Sequence, residues 1–416
     1  MSEATTAGAA EKTDQNPDKP GILRQIAESN ALMGVLAIVS AMIVGSLLIL
    51  IADDDVRTTA GYLFARPGDF FGAVGTCLAE AYTALFRGGI FDWQASSPAR
   101  MWRPITETLT VATPLILSGL GMAVAFRAGL FNVGGQGQII LGAIVGGYIG
   151  FAWHLPGGLH ILVAMIGAIL GGALWGGISG VLRATTGASE VITTIMLNSI
   201  AGYLMAHVLT TATFIGEGNA NPKSLPVAAT AQYPRLLGGP FRLHLGFIVA
   251  LLAAVFVWWL LERSEIGFQF RATGLNPQAA LTAGINVPKI TALVMIISGA
   301  LCGLAATAPV LGTQHYLTGS VAGSIGFDAM TVALLGRSTP QGTVLAGLLF
   351  GALTAGGTTM QAATGTPIDI VLVLQSMIVL FIAAPPLVRA LYRLPAPGSW
   401  RRRRRDAAAA AAGKEA

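Results

Sequence analysis

The chain has 416 residues, 53% of them hydrophobic and 11% charged, against roughly 25% charged in ordinary soluble domains. That composition excludes a soluble globular protein and describes a polytopic membrane protein. The net charge of +5, from 25 Lys and Arg against 20 Asp and Glu, is no sign of nucleic-acid binding. The positive charge sits in short loops and in the tail RRRRRD at 401–406, which beside a last apolar span fixes topology rather than holding RNA.

Residues 1–30 are polar and of mixed charge. The apolar run 31–51 that follows is too long, and its leader too acidic, for a cleaved signal peptide, so it reads as a retained first helix. Runs near the roughly 20 apolar residues needed to cross hydrocarbon occur at 31–51, 105–126, 131–153, 159–182, 190–214, 244–262, 289–311, 325–337, 341–360 and 367–388. The stretch 53–104 lacks a full span, and 70–85 reads as an interfacial helix. The run 325–337 is too short to cross alone and follows GTQHYLTGSVAGSIG, so it reads as a half-helix after a re-entrant segment.

Loop charge orients the chain, because short cytoplasmic loops carry excess Lys and Arg. The connections near 153–158, 312–324 and 361–366 carry none; the outer loops 53–104 and 215–243 do carry basic residues, balanced by acids in the first. Arg127, Arg183, the loop 263–288, Arg337 and the tail fall on the other side. Both termini are therefore expected in the cytoplasm, with 53–104 and 215–243 outside, a membrane domain over 31–388 and a basic cytoplasmic tail over 389–416.

The expected architecture is all-α: ten spans, a broken segment, and two halves of five spans that are inverted because five is odd. Pro114 and Pro309 take corresponding positions under that division. Glycines four apart, Gly142/Gly146/Gly150, Gly167/Gly171, Gly172/Gly176/Gly180 and Gly347/Gly351, permit close helix approach in lipid. They fit packing within the chain better than a dimer seam.

Ion-coupled secondary transporters carry ionisable groups in mid-membrane. Here Glu107, Glu190, Asp328 and Asp369 read as lying at span ends, which argues against a stand-alone ion-coupled transporter. No GxxxxGK[ST] loop is present, the five histidines lack metal-ligand spacing, and no catalytic constellation or disulfide framework emerges around Cys77 and Cys302. No cofactor is expected. The loop 263–288 holds a capped short helix: Asn276 as cap, Pro277 at the first position, QAALTA after it, and Gly284 as the left-handed stop. It is either a helix on the membrane surface or a coupling helix seated on a separate ATPase.

The segments TPLILSGLGMAVAFRAGLFNVGGQGQIILGA, SEVITTIMLNSIAGYL, GFQFRATGLNPQAALTAGI and VALLGRSTPQGTVLAGLLFGAL resemble the larger permease subunit of bacterial nucleoside ABC importers. That family belongs to the wider group of permeases for branched-chain amino acids, ribose and other sugars. The resemblance covers about 105–388. It implies a multi-pass protein of the bacterial cytoplasmic membrane, with three partners: a second related permease, a cytoplasmic ATP-binding subunit that carries the ATP hydrolysis, and an extracytoplasmic substrate-binding lipoprotein. It also implies that 263–288 meets the ATPase through Arg271, Asn276, Pro277, Ala280 and Gly284. Permeases for branched-chain amino acids or simple sugars remain the alternative within the family.

Polar residues within the apolar run 125–147 raise the question of a substrate path. Asn132, Gln136 and Gln138 are uncharged donors and acceptors suited to a neutral ligand. Phe131 offers a stacking face, and Thr194 and Asn198 lie one turn apart opposite them. Alternatively, Asn132 caps the third span and the glutamines bond neighbouring helices. Arg127 reads as a headgroup anchor or a contact at the ATPase.

Overall fold

The structure is a computed structural model and describes residues 30–217 and 221–393. The N-terminal segment up to residue 29 and the arginine tail lie outside the described residues. The helices in order are α1 (Asn30–Ala52), α2 (Asp54–Ala60), α3 (Pro67–Gly89), α4 (Pro98–Arg127), α5 (Gly135–Ala152), α6 (Leu159–Thr186), α7 (Glu190–Val208) and α8 (Ala212–Ile215). They continue with α9 (Gly246–Arg263), α10 (Glu265–Leu275), α11 (Pro277–Thr282), α12 (Val287–Thr307), α13 (Ile325–Leu335), α14 (Pro340–Thr364), α15 (Ile368–Ala383) and α16 (Pro385–Leu391). The described residues contain no strand beyond two isolated bridges, Lys223–Thr318 and Arg235–His244.

The contacts divide the chain into residues 41–383 and a unit of the two termini, 1–40 with 384–416. In the terminal unit the hydroxyls of Ser40 and Tyr392 meet at 3.0 Å. The larger unit holds the membrane bundle. Among the described residues eight helices are long and apolar enough to cross a membrane, and α13 and the apolar stretch Ile368–Ile382 are shorter apolar helices. These ten are the spans read from the sequence, the eighth being short as expected.

At the centre stands α4, buried at every position from Ala112 to Ala125. The glycine rows bring its neighbours close. A Cβ on Gly142 of α5 would lie 2.6 Å from Gly303 Cα of α12, and one on Gly351 of α14 would lie 2.7 Å from the Thr108 carbonyl of α4. Gly172, Gly176 and Gly180 of α6 likewise face the α12 backbone or its side chains. The glycine rows therefore serve packing inside the chain.

The helix partnerships interchange when α4–α7 are exchanged for α12–α15. α6 lies on α12 as α14 lies on α4, α5 touches α12 as α13 touches α4, and α5 meets α13. α4 ends, and α12 begins, beside the same crevice lined by Leu130 and Val287, so these two counterparts run in opposite directions. This is the contact pattern of an inverted repeat, with Pro114 in α4 and Pro309 in the π-helical turn Ala308–Thr313 that extends α12.

The helix read over 70–85 is longer than expected: α3 runs for 23 residues, Ala81, Ala84, Gly88 and Gly89 are buried, and a Cβ on Gly89 would meet the Ala352 carbonyl of α14 at 2.6 Å. The described part of the loop 215–243 is strapped to the segment 311–317. Ser224 N donates to Leu317 O at 3.0 Å, Val227 N to His315 O at 2.8 Å and Tyr233 N to Leu311 O at 2.8 Å.

Candidate functional site

The polar residues singled out in the sequence gather around the start of α5. Asn132 and Gln138 are almost fully buried and hold each other by both carboxamides: Asn132 Nδ2 donates to Gln138 Oε1 at 3.0 Å, and Gln138 Nε2 to Asn132 Oδ1 at 3.2 Å. Asn132 Nδ2 also donates to Ser298 Oγ on α12 at 2.8 Å, and that hydroxyl donates to the Gly121 carbonyl of α4 at 2.8 Å. The Gly134 amide donates to Asn132 Oδ1 at 2.9 Å. The bonds fill every donor and acceptor site of the Asn132 carboxamide and weld α4, α5 and α12, so in this conformation Asn132 and Gln138 bond helices rather than face a cavity.

Asn198 of α7 is half-buried and clasps the same corner, donating to Val133 O at 2.9 Å and accepting from the Gly137 amide at 2.8 Å. Thr194 is buried, donates to Glu190 O at 2.7 Å and lies against Gly134. Phe131 is exposed, its ring 5.0 Å from that of Phe126. Gln136 is half-buried and reaches the start of the half-helix α13: its Nε2 donates to Gly323 O at 2.7 Å and its Oε1 accepts from the Gly326 amide at 3.1 Å.

That contact fixes where α13 begins. Gly147 of α5 lies against Leu317, and Gly135 against Gly326; the two contacts are about 18 Å apart along α5. The chain thus descends well into the bundle before α13 starts, so Asp328, read at a span end and found in the first turn of its helix, lies deep in the bundle rather than at its rim. Asp328 sits in the first turn of a half-helix, where Ser324 Oγ donates to its Oδ2 at 2.6 Å.

At the end of the bundle marked by Arg127, Asn276 caps α11 as expected, accepting from Gln278 N at 3.0 Å and Ala279 N at 3.1 Å, with Pro277 at the first position and Gly284 at φ +84°. Ala280, expected on the ATPase contact, is buried within the chain, and Leu275 and Leu281 are exposed instead. Arg271 is half-buried, with no partner for its Nη1 among the described residues. Arg127 is engaged inside the chain, donating to Ser338 O at 3.0 Å and pairing with Glu262 at 3.6 Å. It ties the end of α4 to α9 and to the α13–α14 corner.

A feature missed in the sequence lies at the opposite end: an open polar cavity of about 670 Å³ bordered by α3, α4, α14 and the loop before α9. Arg242 donates to both Glu107 oxygens from its Nε, at 3.1 and 3.0 Å, which raises the Arg242 pKa; Arg103 adds a contact to Glu107 at 3.6 Å. Arg87 Nε donates to Asp92 at 2.7 Å and lowers that carboxyl's pKa. Glu107 and Arg242 are 135 residues apart, too far for any local pattern to announce them.

Residues 105–383 match the family described as branched-chain amino acid transport system, permease component. The chain belongs to that family. This permease is 36% identical over 369 residues to the guanosine ABC transporter permease protein NupP of Bacillus subtilis, covering 87% of this chain and 95% of the relative. It is 38% identical to the nucleoside ABC transporter permease protein NupB of Lactococcus lactis, over 68% of this chain and 79% of the relative. It is 33% identical to the glucose ABC transporter permease protein TsgB13 of Haloferax volcanii, over 67% and 75%. The permeases NupQ and NupC of the first two species also match, at 28% and 26% identity. No solved structure matches the permease.

Proposed function

We propose that this permease is the membrane subunit of an ATP-binding-cassette importer that carries nucleosides. The observation that carries the reading is the likeness to the guanosine permease, which extends over 95% of that relative. Both a NupP-like and a NupQ-like permease match the chain, which supports a pair of related permeases as the working unit. ATP hydrolysis then belongs to a separate cytoplasmic subunit and solute capture to an extracytoplasmic lipoprotein. The Arg127 end, with the exposed α10–α11 loop, faces the cytoplasm of a bacterial cell, and closure of the ATPase pulls on that loop to tilt the helices.

The solutes in the relatives' names, guanosine, glucose, fructose and riboflavin, share hydroxyl-bearing chains or rings, and a nucleoside carries the same groups on its ribose. Uptake of radiolabelled guanosine by proteoliposomes holding the full complex tests the reading. Uptake that needs internal ATP and is blocked by excess adenosine but not by leucine supports it. Block by glucose alone assigns the permease to sugars, and uptake by the isolated chain under a sodium or proton gradient rejects the ABC reading.

A further inference from the structure

α13 packs on the rest of the chain through Gly326, Ala329, Val332 and Ala333, all buried. The opposite stripe, at the i, i+3, i+4, i+7 spacing of one helix face, is uncovered: Ser324, Phe327 and Leu334 are exposed, with Asp328 and Thr331 half-buried among them. Val332 lies against Gly119 of α4, about 12 Å along that helix from Arg127. Asp328 is one turn further, about 18 Å in, inside a hydrocarbon layer about 30 Å thick. Among the described residues no Lys, Arg or His forms an ion pair with it. A carboxylate on a lipid-facing surface at this depth costs several kcal/mol, so the stripe faces water or protein.

We propose that the outward stripe of α13 lines the aqueous permeation path and that Asp328 accepts hydrogen bonds from the sugar hydroxyls of the permeant. The proposal rests on the nucleoside reading above for the identity of the permeant. An ionised carboxylate is acceptor-only, with two oxygens in one plane, and a vicinal diol presents two donors at matching spacing. Ser324 occupies one side of Oδ2 and orients the group. Phe327 beside it supplies an aromatic face. Gln136, bonded to Gly323 and Gly326, fixes the turn that presents both. A neutral permeant passes without any charge having to cross with it.

The test uses the complete complex. Wild type is expected to take up guanosine faster than 2′,3′-dideoxyguanosine. Asp328→Asn is expected to lower guanosine uptake about 10- to 100-fold and to leave the dideoxy compound unchanged, so that discrimination collapses. An equal loss for both compounds at normal expression overturns the proposal, because it marks a residue that only holds the helix. Placement is read separately by labelling Phe327→Cys and Thr331→Cys, in a Cys77→Ser, Cys302→Ala background, with a membrane-impermeant methanethiosulfonate. Labelling that guanosine slows supports the path, with Leu174→Cys, at an exposed apolar position of α6, as the control expected to stay unlabelled. No labelling at either position means that protein or lipid covers the stripe and overturns it. If wild type ignores guanosine, the nucleoside reading fails by itself; the cysteine labelling still decides the path, and the Asp328→Asn comparison on glucose and 2-deoxyglucose decides the carboxylate.

Discussion

Asn132 and Gln138 satisfy each other's carboxamides inside the bundle, and Ser298 of α12 completes the set by accepting from Asn132 and donating to the Gly121 carbonyl. Removing one member leaves a buried donor or acceptor without a partner, at about 1–3 kcal/mol. Asn132→Ala is therefore expected to lower the melting temperature of the purified permease, while transport per folded molecule stays near wild type. Thermal unfolding in detergent beside uptake normalised to folded protein checks this; a normal melting temperature with lost uptake would put Asn132 on the permeant instead.

The seam between α6 and α12 sets a second expectation. Gly172 and Gly176 of α6 lie against the backbone of Gly299, Gly303 and Met295, so a larger side chain has no flexible neighbour to displace. Gly172→Val is expected to prevent accumulation of folded permease, since overpacking against backbone costs about 1–3 kcal/mol or more. Gly202, on α7 with open space around it, tolerates the same change within about 0.5 kcal/mol of packing energy. Expression and monodispersity on size-exclusion chromatography separate the two.

Local pattern foretold much of this and failed where distance mattered. The glycine rows were legible because a four-residue period is a property of one helix, and Asn276-Pro277 was legible because a cap depends on adjacent residues. The half-helix at 325 showed in its length. Its depth did not, because that is set by Gln136 gripping Gly323 and Gly326 across 187 and 190 residues, and with it went the placement of Asp328. The partner that saturates Asn132 is Ser298, 166 residues away, so helix bonding and substrate contact were indistinguishable along the chain. In α11, six residues give too few turns for a periodic face, and Ala280 was placed outward where Leu281 is.

Exposure of Leu281 and burial of Ala280 make the two substitutions diverge. Leu281→Glu puts a charge on the outer face of α11 and is expected to abolish capture of the ATPase while the permease inserts and melts normally. Ala280→Glu forces a charge into the chain's own interior and is expected to destabilise the loop itself. Co-purification of the ATPase with each variant, beside a melting curve, tests the pair. Retained ATPase binding by Leu281→Glu would show that the loop only lies on the membrane surface.

The last expectation concerns pH. His244, in the loop before α9, is fully buried, stacked on Tyr233 with ring centroids 5.5 Å apart, and its pKa falls to about 4. Burial is the main cause, followed by the nearby charges of His315 and Arg242. The unfolded chain returns this imidazole to about 6.5, so between pH 6.5 and 4 the unfolded state binds more protons and stability rises with pH. The contribution is complete above pH 6.5 and is lost as pH falls towards 4, on the order of 3 kcal/mol. His315 titrates in the same direction, its pKa lowered chiefly by burial, and adds to the slope. Melting temperatures of the purified permease across pH 4–8 are expected to climb steeply up to pH 6.5 and to flatten above it. His244→Gln, which cannot take up a proton, is expected to flatten the acid limb while leaving part of it to His315. An acid limb unchanged in His244→Gln would mean that other groups carry the dependence and that His244 is not held neutral by its burial.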